Sequence, residues 1–311
     1  VSGVVTLGET MGLFSAASPG IRPVEFRLGI GGAESNLAIG LARLGTPSRW
    51  IGRVGADASG DLVLRELRAE GVAVSAVVDE GAATGLMIKT QPIAGLSRVE
   101  YHRSGSAGSR LAPEDVDPEL IRSADLLHVT GITPALSGSA AAAVDLALDV
   151  AEEAGIPVSF DVNHRARLWG DRAFREVYLS IARRAAVLFA GADEAALLVA
   201  GSSPRELALA LAGLGPSQVL VKLGSEGALA VIDGEALEIA PVHITPVDTV
   251  GAGDAFAAGY LAELLAGRTP RERATTAARA GAFACLGPGD WESLPRRQDL
   301  ALLNTADSVS R

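Results

Sequence analysis

The chain has 311 residues, 48% of them hydrophobic, and a formal net charge of −10. That length suits one large α/β domain with a small appendage, or two medium ones. The acidic balance speaks against a general nucleic-acid binder, which needs a basic face, and no apolar run approaches the roughly 18 residues that cross a bilayer.

Cys285 is the only cysteine, so an internal disulfide and a thiolate-rich metal site are excluded and a small buried apolar role is expected. No basic segment followed by an apolar run opens the sequence, and a soluble cytoplasmic protein is the expectation. Only two lysines occur, Lys89 and Lys222, which leaves most cationic chemistry to arginine, whose planar fork suits carboxylates and phosphates.

Val4-Val5-Thr6-Leu7-Gly8 reads as a short buried strand closing on a glycine turn. Ligands of open α/β sheets bind near such carboxyl ends, which makes Gly8 and Glu9 either site neighbours or parts of a simple loop. Gly29 to Asn36 then leads into an apolar helix that stops at Gly45. Its small residues let a backbone approach a ligand closely. Glu34 stands where a dinucleotide fingerprint needs its third glycine, so that motif is absent. Asp57 is expected to cap an amphipathic helix through Leu62, Leu64, Leu67 and Arg68 that stops at Gly71. Thr84–Thr90 and Ser97–Arg103 alternate like half-exposed strands joined by a Pro/Gly turn, an inserted flap in an otherwise α/β rhythm.

From residue 125 strands and helices alternate: Leu126–Thr130, a helix over about 137–154, Pro157–Asn163, a helix, Ala186–Phe189, a helix, and Gln218–Lys222. This spacing predicts a parallel sheet covered by helices on both faces. Ala230 to Leu237 reads as a hairpin by its Asp-Gly turn. The polar cluster Asp161-Val162-Asn163-His164-Arg165 follows a buried strand, where a site is expected. Arg165 can grip a carboxylate bidentately or form a structural ion pair. No histidine pair there has metal-ligand spacing. Lys222 to Gly227 reads by itself as a turn before the hairpin, and helices over about 270–286 end the ordered pattern.

Asp248-Thr249-Val250-Gly251-Ala252-Gly253-Asp254 precedes a long apolar run. Small residues at a helix start leave unpaired N–H groups where anions are held, so the stretch reads as a phosphate cradle or as an ordinary capped helix start. Asp254 falls in the first turn, facing whatever the cradle holds, which suits a base aimed at a hydroxyl. The helix dipole is expected to stabilise its carboxylate and lower its basicity.

That stretch resembles the second signature of the ribokinase-like (PfkB) sugar kinases, Asp-Thr-x-Gly-Ala-Gly-Asp, at every fixed position, and the resemblance extends from Gly8 to the last helix. It implies a ribokinase-like three-layer α/β sandwich with a mostly parallel central sheet, formed by residues 1–11, 29–83 and 104–311, and a small β-sheet lid from 12–28 and 84–103. A closing lid excludes water, which competes as phosphoryl acceptor.

By the same resemblance Asp254 is the base and Gly251, Ala252 and Gly253 form the anion hole. Gly31, Gly32 and Asn36, in a Gly-Gly-Ala-x-x-Asn element, line the sugar. Lys222, Gly224, Ser225, Gly227, Thr249 and Gly281 line the nucleotide. Glu194 influences Mg²⁺ through water, although the family's Asn-x-x-Glu has Gly191 here in place of the Asn.

Within the family, Tyr101 and Arg103 in the flap and the Phe-Asp-x-Asn-x-Arg-x-x-Leu-Trp element carrying Arg165 are similar to the 2-keto-3-deoxygluconate kinases. Without the resemblance, a solvated edge charge for Arg103 and plain packing for Tyr101 stand as equal alternatives to a substrate role. Met87 stands where those kinases place a second lid Tyr. The implied partners are a sugar acid, ATP and Mg²⁺, with K⁺ or another monovalent cation as a further candidate, in a homo-oligomer, a dimer through the lid. Another PfkB activity on fructose or ribose, or a catalytically silent regulator, are the rivals. The Walker loop and the protein-kinase motifs are absent.

Overall fold

The computed structural model describes residues 2–93 and 96–304. Its strands are β1 (Val4–Leu7), β2 (Met11–Ala16), β3 (Phe26–Gly31), β4 (Ser48–Gly55), β5 (Ala73–Asp79), β6 (Leu86–Ile93), β7 (Leu96–His102), β8 (Leu126–Thr130), β9 (Val158–Asp161), β10 (Val187–Gly191), β11 (Gln218–Lys222), β12 (Ala228–Ile232) and β13 (Glu235–Ile239). The large sheet runs β13-β12-β11-β10-β9-β8-β1-β4-β5 and a separate sheet runs β3-β2-β6-β7. Pairing in the large sheet is parallel from β11 to β5 and antiparallel only at the β11–β12–β13 end. The fold is therefore a three-layer α/β sandwich with a small second sheet.

Strands covered on both faces send alternate side chains into different cores. Leu188, Ala190, Val219 and Val221 join one cluster, and Val187, Phe189 and Leu220 the other. Continuous apolar runs are what made these strands legible. β4 and β5 have no counterpart among the sequence expectations: arginines and glycines interrupt the apolar pattern of β4, and β5 is a half-buried edge.

Local signals act where they were expected. Asp57 Oδ1 accepts the Gly60 N–H at 2.8 Å, and its other oxygen takes the Thr84 N–H at 2.8 Å, tying the helix Ala58–Ala69 to the entry of β6. Ser137 caps the helix Gly138–Ala154. Asp233 and Gly234, at φ 51° and 85°, turn the β12–β13 hairpin.

In the small sheet, β2 pairs parallel with β6 and antiparallel with β3, and β6 pairs antiparallel with β7. The tip between β6 and β7, residues 94 and 95, lies outside the described residues. Met11, Leu13 and Met87 form the sheet's buried side, whereas Ile21, Val24, Phe26, Leu28 and Leu96 are exposed.

The helix Ala252–Leu265 is apolar all round and correspondingly buried, packed between the helices Ala33–Arg43 and Pro270–Ala284. Gly40 and Gly259 permit the close crossings: a Cβ would meet Ala258 at 2.8 Å and Ala277 at 3.0 Å respectively. This packing fixes the start of the helix, and Asp254 with it. Among the described residues no helix is long and apolar enough to cross a membrane.

Candidate active site

Strand ends of the large sheet converge on one cavity of about 440 Å³: Glu9 follows β1, Ile132 follows β8, Asn163 and Arg165 follow β9, Gly191 ends β10 and Lys222 ends β11. The chain order of the sheet turns back at β1, and such reversals open a crevice at the carboxyl ends of strands. Met87 and Tyr101 of the small sheet, with Arg103 just past the end of β7, close one side, and Gly251, Gly253 and Asp254 form the floor. A neighbouring, mostly apolar cavity of about 420 Å³ is lined by Gly224, Ser225, Gly227, Ala252, Gly281 and Cys285. Lys222, Thr249 and Gly253 belong to both walls. Cys285 is buried, as expected, with its thiol on the Gly281 carbonyl at 3.3 Å.

Gly251 is the helix N-cap at φ 79°, and Ala252, Gly253 and Asp254 form the first turn. Their N–H groups stand where a helix has no partner of its own to offer. The Asp248 carboxylate braces the turn by accepting the Val250 N–H at 3.2 Å.

Asp254 opens onto the cavity while its carboxylate lies deep. Oδ2 accepts the Asn36 amide at 2.8 Å, and Oδ1 lies 3.5 Å from the Asn163 amide. Burial pushes the Asp254 carboxyl up to about 7; the Asn36 bond works against this and the Asp161 charge adds to it. The dipole-based expectation of lowered basicity is thus corrected, because removal from water outweighs the helix end. Asn36 Oδ1 is buried without a hydrogen-bond partner among the described residues, an acceptor open to a donor from the cavity.

Lys222 Nζ binds both oxygens of Asp161, at 3.0 and 2.8 Å, and lies beside Gly253, where a Cβ would be 3.4 Å from it. Burial disfavours this ammonium, but Asp161 and Glu194 hold it above its ordinary value, so it stays charged beside the cradle. Gly224, Ser225, Gly227, Thr249 and Gly281 all line the second cavity. Glu194 accepts the His164 and Gly191 N–H groups at 2.8 and 2.7 Å. Each of its oxygens keeps a lone pair for water, and among the described residues no cluster of three or more His, Cys, Asp or Glu could hold a metal directly.

Arg165 is exposed to the cavity. Its guanidinium donates to the His164 carbonyl at 3.1 Å and has no carboxylate partner among the described residues. Arg103 differs: its Nε and Nη2 bind the Glu9 carboxylate at 2.6 and 2.5 Å, it lies 5.6 Å from the Tyr101 ring centroid, and Glu9 also accepts the Ser106 hydroxyl. Gly32 and Asn36 line the cavity. Gly31 does not; it is buried beneath Asp290 and Met87, each of which a Cβ would meet at 2.5 Å.

Asp290 is a cavity residue that nothing in the sequence singled out, and Lys89 contacts it from the small sheet. Glu9, Asp161 and Asn163 stood in stretches where a site was expected but had no role assigned. Asn163 sits at φ 38°, a conformation asparagine tolerates better than most residues, and its place at the end of a buried strand was the available signal.

The family model described as pfkB family carbohydrate kinase matches residues 2–297. The chain belongs to that family. This PfkB protein is 38% identical over 304 residues to the 2-dehydro-3-deoxygluconokinase of Bacillus subtilis (strain 168), covering 96% of this chain and 94% of that one. The crystal structure of 2-dehydro-3-deoxygluconokinase from Thermotoga maritima matches with TM-score 0.88 at 26% identity, over 98% of this chain and 100% of that one. A putative Ribokinase II from E. coli, solved in complex with ATP and Mg²⁺, shares the fold at TM-score 0.91 and 24% identity, over 98% and 99% of the two chains. The PfkB chain described here is a carbohydrate kinase, a transferase of ribokinase-like fold.

Proposed function

We propose that this PfkB kinase transfers the γ-phosphoryl group of ATP to the C6 hydroxyl of 2-keto-3-deoxy-D-gluconate, with Asp254 as the base. The carrying observation is that one cavity holds Arg165, an arginine without a carboxylate partner among the described residues, and Asp254, a carboxyl poised at about 7. One end suits an anionic group and the other a proton. The names of the B. subtilis and T. maritima relatives support the same substrate.

In this mechanism Arg165 holds the sugar carboxylate, and Gly32 and the side-chain oxygen Oδ1 of Asn36 receive the sugar's hydroxyl face. Asp254 accepts the C6 proton as that oxygen attacks in line. The Gly251–Gly253 amides and Lys222 stand beside the charge that gathers on the transferred group. Mg²⁺, when bound to the phosphates, supplies further positive charge, and Glu194 is the carboxylate placed to meet its water shell. Tyr101 closes the sugar from the lid. The exposed apolar face of the small sheet supports pairing of two lids in a dimer.

ADP release with Mg-ATP, measured for 2-keto-3-deoxygluconate, fructose and ribose side by side, tests the substrate. Strong preference for the keto acid is the expected result; preference for a neutral sugar discards it. The observations that favour a neutral sugar are the Arg103–Glu9 pair, which neutralises the lid arginine, and Met87 in place of a hydroxyl donor. Arg165→Ala is expected to raise KM for the keto acid about tenfold or more, the scale of a charge-assisted contact, with kcat changed less. Unchanged KM removes Arg165 from the site.

The pH profile tests the base. The reactive form of Asp254 is the carboxylate, so kcat/KM is expected to climb as pH rises through about 7 and then level, reporting the free enzyme's base. A profile flat across the neutral range is the contrary outcome.

A further inference from the structure

Lys89, Asp248 and Asp290 make a buried charge cluster that the mechanism above leaves unused. All three are nearly inaccessible, at 4%, 4% and 7% exposure. Lys89 reaches from β6 in the lid: its Nζ lies 2.5 Å from Asp248 Oδ2, 3.1 Å from Asp290 Oδ1 and 3.1 Å from the Gly289 carbonyl oxygen. These three acceptors match the three donors of an ammonium group, so the cation is fully coordinated by protein.

Both carboxylates are built into the phosphoryl cradle. Asp248 Oδ1 accepts the Val250 N–H, one residue before Gly251. The Asp290 carbonyl oxygen packs so closely on the Gly251 Cα that a Cβ there would collide with it, and the Asp290 carboxylate covers Gly31. Burial pushes the Asp290 carboxyl up and Lys89 pulls it back, so the ammonium favours its ionised form. Without a cation, two buried carboxylates would repel each other and the incoming phosphates, and the turn carrying Gly251 would lose its brace.

We infer that Lys89 is a positioning residue of the cradle, a lid-borne ammonium that supplies the positive charge Asp248 and Asp290 require, so that turnover needs no added monovalent cation. It rests on Gly251–Gly253 as the seat of the transferred phosphoryl group, not on the identity of the sugar.

The test measures ADP release by the full chain with Mg-ATP and whichever sugar it turns over, in potassium, sodium and tetramethylammonium salts of matched ionic strength. The wild-type kcat is expected to vary by no more than about twofold, the range left when screening is held constant. In tetramethylammonium, Lys89→Met is expected to lower kcat at least about tenfold, because a displaced cradle amide loses transition-state contact. Its KM for the sugar should move less, and potassium or ammonium should restore part of the loss, a rescue that a purely structural role would not give. A wild type activated tenfold or more by potassium over tetramethylammonium overturns the inference. So does Lys89→Met with wild-type kcat in tetramethylammonium. If Lys89→Met does not fold, the wild-type salt series alone still decides. Failure of the keto acid as substrate leaves the test intact, since any accepted sugar serves.

Discussion

Asp254→Asn is expected to lower kcat at least about a hundredfold, the usual scale for removing a general base, while ATP binding changes little. The same substitution is expected to make the protein more stable at pH 8. Burial raises the Asp254 carboxyl from 3.8 to about 7, so the folded state binds its proton more tightly than the unfolded state. Stability from that group is complete below about pH 4 and is lost as pH rises through about 7. Asparagine does not titrate, so the variant's advantage is absent in acid and full at pH 8. We expect it to be on the order of 1 to 2 kcal/mol, since water in the cavity reduces the full linkage value. Thermal melts at pH 5 and pH 8 beside single-turnover assays separate the two effects. Near-normal turnover would overturn the base assignment, and a lower melting temperature at pH 8 would contradict the buried-charge account.

Gly251→Ala is expected to lower kcat by about a hundredfold, comparable to removing one anion-hole donor. Gly251 occupies φ 79°, and an added Cβ would collide with the Asp290 carbonyl oxygen. The left-handed conformation alone disfavours alanine by about 1 kcal/mol; the collision additionally forces the cradle amides or the Asp290 loop to move. Gly267→Ala isolates the conformational part. Gly267 also lies at positive φ, 68°, but no atom stands within 4 Å of the Cβ position. That control is expected to keep wild-type kcat and to lose about 1 kcal/mol of stability. Equal kcat for both variants would show that the cradle tolerates displacement.

What could be read in the sequence was what lies close together in the chain. The cradle is seven consecutive residues, the Asp57 cap acts three residues ahead, and the β12–β13 turn is a dipeptide. Strands covered on both faces announced themselves as apolar runs, whereas β4, interrupted by arginines, did not. The features that escaped are made by folding. Arg103 meets Glu9 and Lys89 meets Asp248 and Asp290 only when the lid lies on the core, and residue types alone do not say which cation meets which carboxylate. Lys89 did carry a signal: one of two lysines in an arginine-rich chain, it sits inside an apolar strand. The basicity of Asp254 depends on burial depth, a quantity fixed by the helices packed around it, so the local dipole pointed the wrong way.

The two cavities share Lys222, Thr249 and Gly253 as a common partition. A ligand on one side that shifts this partition alters the free energy of occupying the other, and equilibrium thermodynamics makes the effect mutual. By whatever factor a bound nucleotide tightens or weakens the sugar, the sugar must change the nucleotide's affinity by that same factor. With the ligands placed as proposed above, the Lys222 and Thr249 side chains and the Gly253 backbone are the direct route by which acceptor and donor sense one another.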